Sequence, residues 1–177
     1  MSVRRQTRVI LALPGTVVIV IPTVMSILGG VRPGWNLPSP FDVILVVVGI
    51  GLALVGIVTV TVTIGLFSRA RGTLAPWDPP KDLVIGGPYR YVRNPMISGI
   101  FAILAGAAAV LGSWWILGWF LLFVLAQNIY IRLDEEPKLV TRFGRPYEEY
   151  RRAVPRWIPR LPGALGVAID TRNPAPQ

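Results

Sequence analysis

Chemistry-bearing residues concentrate in polar segments of an otherwise apolar chain. The first segment, Lys81–Gly99, reads KDLVIGGPYRYVRNPMISG and places tyrosines and arginines directly before an apolar run. Pro95 suits the first turn of a helix, where its missing N–H costs little. Helix starts present free N–H groups and the positive end of the helix dipole, which favour anions. The segment therefore predicts a polar loop that leads into a buried helix and helps to form a binding site; a basic loop that only sets membrane topology is the alternative.

A second cluster combines one cation with three consecutive carboxylates, Asp134–Glu136. Ionisable residues at the end of a membrane helix are often functional. Arg132 and Glu136 are spaced i,i+4, so both can face one cavity from the same side of a helix. Gln127 and Asn128 precede them and favour a functional interpretation, although they could instead bind a neighbouring helix. A solvated charge cluster, which would contribute little to stability, is an equally good interpretation of the spacing.

The composition indicates a membrane protein. The 177 residues are 53% hydrophobic and only 15% charged, with a mean hydropathy of +0.56, whereas soluble domains are nearer a quarter charged. The chain has no Cys and no His. This excludes disulfides and thiolate chemistry, removes the usual proton shuttle, and makes a zinc or iron site improbable. We expect no bound metal.

The apolar runs predict the helices that can position the two polar segments. We expect membrane spans at about residues 9–28, 41–67, 95–111 and 114–133, since about 20 apolar residues cross a bilayer. The first run is too long for a typical signal peptide and is interpreted as a membrane helix. The predicted fold class is an all-α integral membrane protein with about four transmembrane helices and a cytoplasmic, interfacial C-terminal helix. Residues 1–161 form one domain in this interpretation, with an interfacial segment at 134–161 and a loose tail at 162–177.

Finer features of these elements can also be predicted. Small residues in the second span, such as Gly49 and Gly56, can admit a neighbouring helix closely, or simply face lipid. Gly112–Ser113 allows only a tight hairpin between the third and fourth spans. Pro137 allows a break after the fourth span. Beyond it, one helical side, which Gly144 and Pro146 interrupt, carries apolar residues that can lie on the membrane surface. They are Leu139, Val140, Phe143, Tyr147 and Tyr150.

The distribution of cations predicts the orientation. With four spans, every Lys and Arg except Arg32 falls on the side that holds both termini and the 68–94 loop. The positive-inside rule assigns that side to the cytoplasm. We therefore expect a multi-pass protein of the inner (plasma) membrane with both termini cytoplasmic. This topology also brings Lys81–Asn94 and Arg132–Tyr150 together.

Two motifs resemble a known family. GPYRYVRNPMISG and EEPKLVTRFGRPYEEYRRAVPRWIP are similar to the signatures GxYxxxRHPxYxG and EExxLxxxFGxxYxxYxxxVPxxxP of the isoprenylcysteine carboxyl methyltransferase family, which is related to phospholipid N-methyltransferases. The similarity covers about Lys81–Pro159 and suggests a bacterial-type member. It implies an integral membrane enzyme that uses S-adenosylmethionine as cofactor.

The resemblance also implies roles for individual residues. Arg132 matches the arginine that faces the methyl acceptor and is the expected catalytic residue, with Glu135 beside it in substrate binding. Asn94 and Ile97 stand where the family signature has His and Tyr. The residues matching the cofactor site are Lys81, Asp82, Leu83, Val84, Tyr89, Asn94, Pro95, Met96, Ile97 and Glu136.

The available side chains favour certain acceptors. An ionised carboxylate needs no general base, whereas an amine must lose a proton, and the chain has no His to accept it. We therefore expect a lipophilic acceptor, and favour a carboxylate or another nucleophile that needs little help from a base. The alternative is a non-catalytic membrane protein whose degenerate cofactor pocket binds a lipid or a partner. The nearly uncharged spans argue against an ion path, and topology explains the cations without nucleic acid.

Overall fold

A computed structural model of the protein describes residues 11–29, 34–69 and 86–159, and these residues form helices and connecting turns with no strand. Residues 81–85, and with them the predicted site residues Lys81–Val84, lie outside the described residues. In chain order the elements are a π-helical stretch Leu11–Val20, α1 (Ile21–Gly29), α2 (Phe41–Arg69), a 3₁₀ turn Gly87–Arg90, α3 (Pro95–Leu111), α4 (Trp114–Tyr130), a π-helical turn Ile131–Glu135, α5 (Glu136–Phe143) and α6 (Arg145–Ala153).

The all-helical prediction is confirmed for the described residues, and two helices are long and apolar enough to cross a membrane. They are Phe41–Leu66 and Trp114–Phe143, while Gly15–Gly29 and Pro95–Leu111 are apolar but shorter. A helix of 17 residues is about 25 Å long, against about 30 Å for the hydrocarbon core. Most large apolar side chains of α2 are exposed, as expected of a helix that faces lipid. The count of four spans stays a prediction.

Close packing of α2 against α3 depends on glycine. A Cβ at Gly56 would lie 2.5 Å from the carbonyl oxygen of Gly99, and one at Gly106 would lie 2.5 Å from that of Gly49. These distances are too short for any side chain, so the backbones touch only because the side chains are missing. The small residues of the second span therefore do contact a neighbouring helix, and α3 is that helix.

The hairpin between α3 and α4 is as tight as predicted. Gly112 has a φ of 56°, in the left-handed region that favours glycine. Ser113 then caps α4, because its hydroxyl accepts a hydrogen bond from the Ile116 N–H. The hairpin lets Ile100 and Leu104 of α3 pack against Phe123 of α4 as a buried core.

The predicted break at Pro137 is wrong, because the fourth helix continues to Phe143. The helix widens just before Pro137, because the Glu136 N–H donates a hydrogen bond to the Ile131 carbonyl, five residues back. A π-helical turn of this kind is common where a helix accommodates an interruption and is frequent at functional sites. The π-helical turn accommodates Pro137, which has no N–H to donate, without ending the helix. The helices α4 and α5 therefore form one continuous helical rod.

The chain breaks instead at Gly144, whose φ of 58° and ψ of −136° end α5 and start α6. Tyr147, Tyr150 and Val154 are buried together, with Leu139, Val140 and Phe143 packed against them. The predicted residues therefore do share an apolar side, which packs within the protein, and its position on the membrane surface stays a prediction. It is folded in two at Gly144, so that α6 turns back towards the start of α3.

The contact between α2 and α3 yields a stability prediction with an internal control. Gly56→Ala must push α3 away, whereas a Cβ at Gly51, on the same helix, meets nothing within 4 Å. We expect Gly56→Ala to lower the thermal unfolding temperature in detergent, and Gly51→Ala to leave it unchanged or raise it, since Ala favours helix over Gly. Equal unfolding temperatures for the two variants would contradict the packing described.

Candidate functional site

A buried carboxylate bound by two guanidinium groups forms the centre of the candidate site. Arg93 Nη1 donates to Glu136 Oε1 at 2.7 Å. Arg156 binds the same carboxylate through two atoms, Nε to Oε1 at 3.0 Å and Nη2 to Oε2 at 2.9 Å. The side chain of Glu136 is 9% exposed, and those of Arg93 and Arg156 are 11% and 15% exposed. We call these three residues the charged triad.

Three separate parts of the chain supply the triad. Arg93 lies between the 3₁₀ turn and α3, and Glu136 opens α5 directly after the π-helical turn. Arg156 follows α6 in an extended segment that begins at Val154. The Arg93 N–H donates to the Pro155 carbonyl at 2.9 Å, so the two segments that carry the arginines are also joined through their backbones.

Tyrosine side chains enclose the triad on the side of α6. The Tyr150 hydroxyl donates to the Tyr89 carbonyl at 2.8 Å. Burial raises the pKa of Tyr150, and Arg93 opposes this rise. Burial also raises the pKa of Tyr89, with a further increase from Tyr150 and Glu135, and burial followed by Glu136 raises that of Tyr147. All three hydroxyls therefore remain protonated at neutral pH and cannot act as bases.

Trp157 closes the other side of the triad, between α3 and α4. Its indole N–H donates to Asn128 Oδ1 at 2.9 Å, and its carbonyl accepts a 3.4 Å hydrogen bond from the Ser98 hydroxyl. Its ring lies 4.9 Å from that of Phe101. Asn128 also donates to the Val124 carbonyl at 2.9 Å. Asn128 therefore anchors the C-terminal segment, which is neither of the two uses that the sequence interpretation left open.

The predicted cofactor residues that the structure describes lie close to the triad. Asn94 precedes α3 without a side-chain capping hydrogen bond, and Pro95 is buried in the first turn, as predicted. Ile97 packs against the core formed by Ile100, Leu104 and Phe123, which explains an apolar residue there. Met96 is half-buried beside them. Their role in cofactor binding stays a prediction.

Arg132 and Glu136 do not form the pair that their spacing allows. Glu136 is buried and bound by Arg93 and Arg156, whereas Arg132 is exposed and forms no ion pair within the described part of the chain. Glu135, between them, is half-buried. The predicted roles of Arg132 and Glu135 at the acceptor stay predictions.

The sequence interpretation missed the partners of Glu136. Arg93 appeared only as one cation of a basic loop, and Arg156 was not singled out. A signal was nevertheless available, because a carboxylate placed next to a buried helix end requires a cation of its own. The sequence does not say which of many arginines that is, since 20 residues and the turn at Gly144 separate Arg156 from Glu136.

One donor of the triad remains unpaired within the described residues. Arg93 Nε is buried and has no hydrogen-bond partner among them, a situation that costs about 1–3 kcal/mol. Glu136 Oε2 accepts one hydrogen bond from Arg156 and, as a carboxylate oxygen, can accept another. The triad therefore has one donor atom and one acceptor position that no described residue fills.

A cavity of about 310 Å³ lies at the opposite end of α3 and α4 from the triad. Trp35, Trp114 and Trp115 line it together with backbone of the α3–α4 hairpin. Tryptophans at a helix end are typical of a membrane interface. None of the described residues that line this cavity is titratable, so the charged end of the helices is the candidate for chemistry.

Comparison with characterised proteins finds partial relatives. The chain is 39% identical over 92 residues to methanethiol S-methyltransferase 2 of Bradyrhizobium diazoefficiens, a match that covers 50% of this chain and 32% of that protein. It is 41% identical over 83 residues to protein-S-isoprenylcysteine O-methyltransferase of Schizosaccharomyces pombe, covering 45% of this chain and 34% of that protein. The chain thus spans about a third of the length of these relatives. No solved structure matches it significantly.

A family model matches more of the chain than either relative does. The match to the phospholipid methyltransferase family extends over residues 44–146 and includes α2, α3, α4 and α5. Two members of the triad, Arg93 and Glu136, lie inside the matched range, and Arg156 lies beyond it. Because the match covers more than half of the sequence, the chain belongs to the phospholipid methyltransferase family.

Proposed function

We propose that the protein is an integral membrane methyltransferase that transfers a methyl group from S-adenosylmethionine to a lipophilic acceptor. The observation that carries the proposal is the buried Glu136 carboxylate beside the start of α3, inside the range that matches the family. The relatives are named for methyl transfer to a thiol and to an isoprenylcysteine. Both names describe methyl transfer, and the part of this chain that matches the family model contains Glu136.

The residues at the triad fit the amino-acid portion of this cofactor. Its ammonium group needs an acceptor, and Glu136 Oε2 can accept one more hydrogen bond. Its carboxylate needs donors, and Arg93 Nε is a buried donor with no partner among the described residues. We assign cofactor binding to Glu136, to residues 94–97, to Tyr89 and to residues 81–84.

The chain contributes positioning and charge to the reaction. When bound, S-adenosylmethionine supplies a sulfonium-activated methyl group, and the departing thioether keeps the electron pair of the broken bond. Holding the reactants in line supplies much of the rate of such a displacement. Arg132, exposed one turn before Glu136, is assigned to hold the acceptor, with Glu135 beside it.

The site offers neither an imidazole nor a phenolate as a base, and the remaining candidate base beside Arg132 is the Glu135 carboxylate, whose pKa is raised by burial. The sequence has no His, and burial raises the pKa values of Tyr89 and Tyr150, so neither hydroxyl can accept a proton at neutral pH. A carboxylate is already ionised at that pH, and a thiol ionises far more readily than an alkylammonium. We therefore propose a lipophilic carboxylate or thiol as the acceptor class.

We assign the protein to the inner (plasma) membrane as a multi-pass protein with both termini cytoplasmic. Every Lys and Arg except Arg32 then faces the cytoplasm, in accord with the positive-inside rule. The triad lies at the same end as these cations. A soluble cofactor can then arrive from the cytoplasm, while a lipophilic acceptor arrives from the bilayer between the helices.

The first prediction concerns cofactor binding. Purified protein in detergent should bind S-adenosylmethionine in a calorimetric titration, and Glu136→Gln should weaken binding at least tenfold, because an amide forms weaker hydrogen bonds to an ammonium than a carboxylate does. Glu149→Gln is the matched control, since Glu149 is an exposed acid paired with Arg145. It should bind as the wild type does. If the wild type binds no cofactor, the non-catalytic alternative replaces this proposal.

The second prediction concerns the acceptor. With a labelled methyl donor, membrane lipid extracts, prenylated acids and prenylated thiols should be screened by mass spectrometry of the product. Arg132→Ala should lower kcat/KM for an anionic acceptor about tenfold or more and leave cofactor affinity within twofold. Lys138→Ala removes another exposed cation of the same helical rod and should have little effect. Equal losses in both variants would remove Arg132 from the acceptor site.

A further inference from the structure

We propose that Arg156 is a positioning residue for methyl transfer, which holds the Glu136 carboxylate in the orientation that binds the cofactor and makes the segment after α6 part of the active site. This inference rests on the function proposed above. Arg156 lies outside the range matched by the family model, which ends at residue 146. The role proposed for Arg156 follows from its own contacts.

Arg156 fixes the plane of the Glu136 carboxylate. Its Nε and Nη2 bind the two oxygens separately, at 3.0 and 2.9 Å, in the two-point geometry that orients a carboxylate. Arg93 binds Oε1 alone. Without Arg156, the carboxylate could rotate about its contact with Arg93, and either oxygen could face the cofactor.

The pattern of hydrogen bonds leaves a defined acceptor position. A carboxylate has about four lone-pair sites, two on each oxygen. Oε1 accepts from Arg93 and Arg156, whereas Oε2 accepts from Arg156 alone. The remaining acceptor site within the described chain is therefore on Oε2, and Arg156 determines that it is there.

The backbone on both sides of Arg156 is anchored, so the guanidinium is delivered to a fixed point. The Pro155 carbonyl accepts from the Arg93 N–H, and Trp157 is bound to Asn128 and Ser98. The contrast with a surface pair is clear, because the Arg145 and Glu149 side chains are 88% and 59% exposed, against 15% and 9% for Arg156 and Glu136. An exposed pair orients its partners weakly.

A residue that only stabilises the fold would make the same contacts. The test must therefore separate stabilisation of the fold from positioning of the Glu136 carboxylate. Positioning acts through Glu136 and should disappear when the carboxylate is absent. A structural role that runs through the rest of the segment, where Trp157 is bound to Asn128 and Ser98, should persist in that background. The two roles therefore differ in how the effects of substitutions at the two positions combine.

The test uses the full chain in detergent and labelled S-adenosylmethionine as the probe. Arg156→Gln should raise the Kd and the KM for the cofactor about tenfold or more, and Arg156→Lys should recover part of the loss, since lysine keeps the charge but not the two-point geometry. Arg152→Gln, which removes an exposed arginine of α6, is the matched control and should stay within twofold of the wild type. Thermal unfolding of each variant shows that it is folded.

The double variant Glu136→Gln/Arg156→Gln gives the deciding comparison. We expect it to bind the cofactor within twofold of Glu136→Gln alone. If the two effects multiply instead, or if Arg156→Gln binds like Arg152→Gln, the positioning role is overturned. If Arg156→Gln does not fold, the three- to tenfold rise in Kd expected for Arg156→Lys decides in its place, and no rise overturns the inference.

The wild-type titration separates this inference from the proposal beneath it. Binding by the wild type together with normal binding by the Arg156 variants overturns the positioning role and leaves the methyltransferase assignment intact. No binding by the wild type overturns both.

Discussion

The burial of one carboxylate constrains the whole charged end of the molecule. Glu136 is nearly inaccessible to water, and an ionised group in that position requires cations close to it. Arg93 and Arg156 meet this requirement from segments 43 and 20 residues away in sequence. The attraction within such a cluster is largely offset by the loss of hydration. Its main effect is therefore on arrangement: the loop before α3, the start of α5 and the segment after α6 must meet at one point.

Close packing of the helices holds the three segments of the triad in their relative positions. Missing side chains at Gly56 and Gly106 let α2 and α3 touch along their backbones, and the turn at Gly112–Ser113 sets α4 beside α3. The π-helical turn before Glu136 then carries the rod past Pro137. The glycine contacts and the hairpin lie at a distance from the triad, whereas the π-helical turn adjoins Glu136. A shift in any of them would move one member of the triad relative to the others.

The sequence predicted those features that depend on neighbouring residues. Pro95 opens α3 where its chemistry suggests, and the apolar side around Tyr147 and Tyr150 follows from helical spacing. The sequence-based prediction failed where residues distant in the chain, and not a neighbour in the same helix, bind a side chain. The i,i+4 spacing offered Arg132 to Glu136, but Arg93 and Arg156 bind the carboxylate instead. Local spacing cannot reveal this outcome, because the fold at Gly144 that returns α6 to α3 depends on a backbone conformation and not on a pattern of side chains.

The two ends of the helical hairpin differ in what they can do. At one end, Trp35 and Trp114 form an aromatic pair with ring centroids 4.7 Å apart and border a cavity whose described lining residues are not titratable. At the other end, a buried acid, two guanidinium groups and protonated tyrosines stand beside the first turn of a helix. Methyl transfer from a charged, water-soluble donor to an acceptor dissolved in lipid requires a site that both can reach. Of the two ends, the charged one offers described partners for the proposed donor, and its position where apolar helices end suits the proposed lipophilic acceptor.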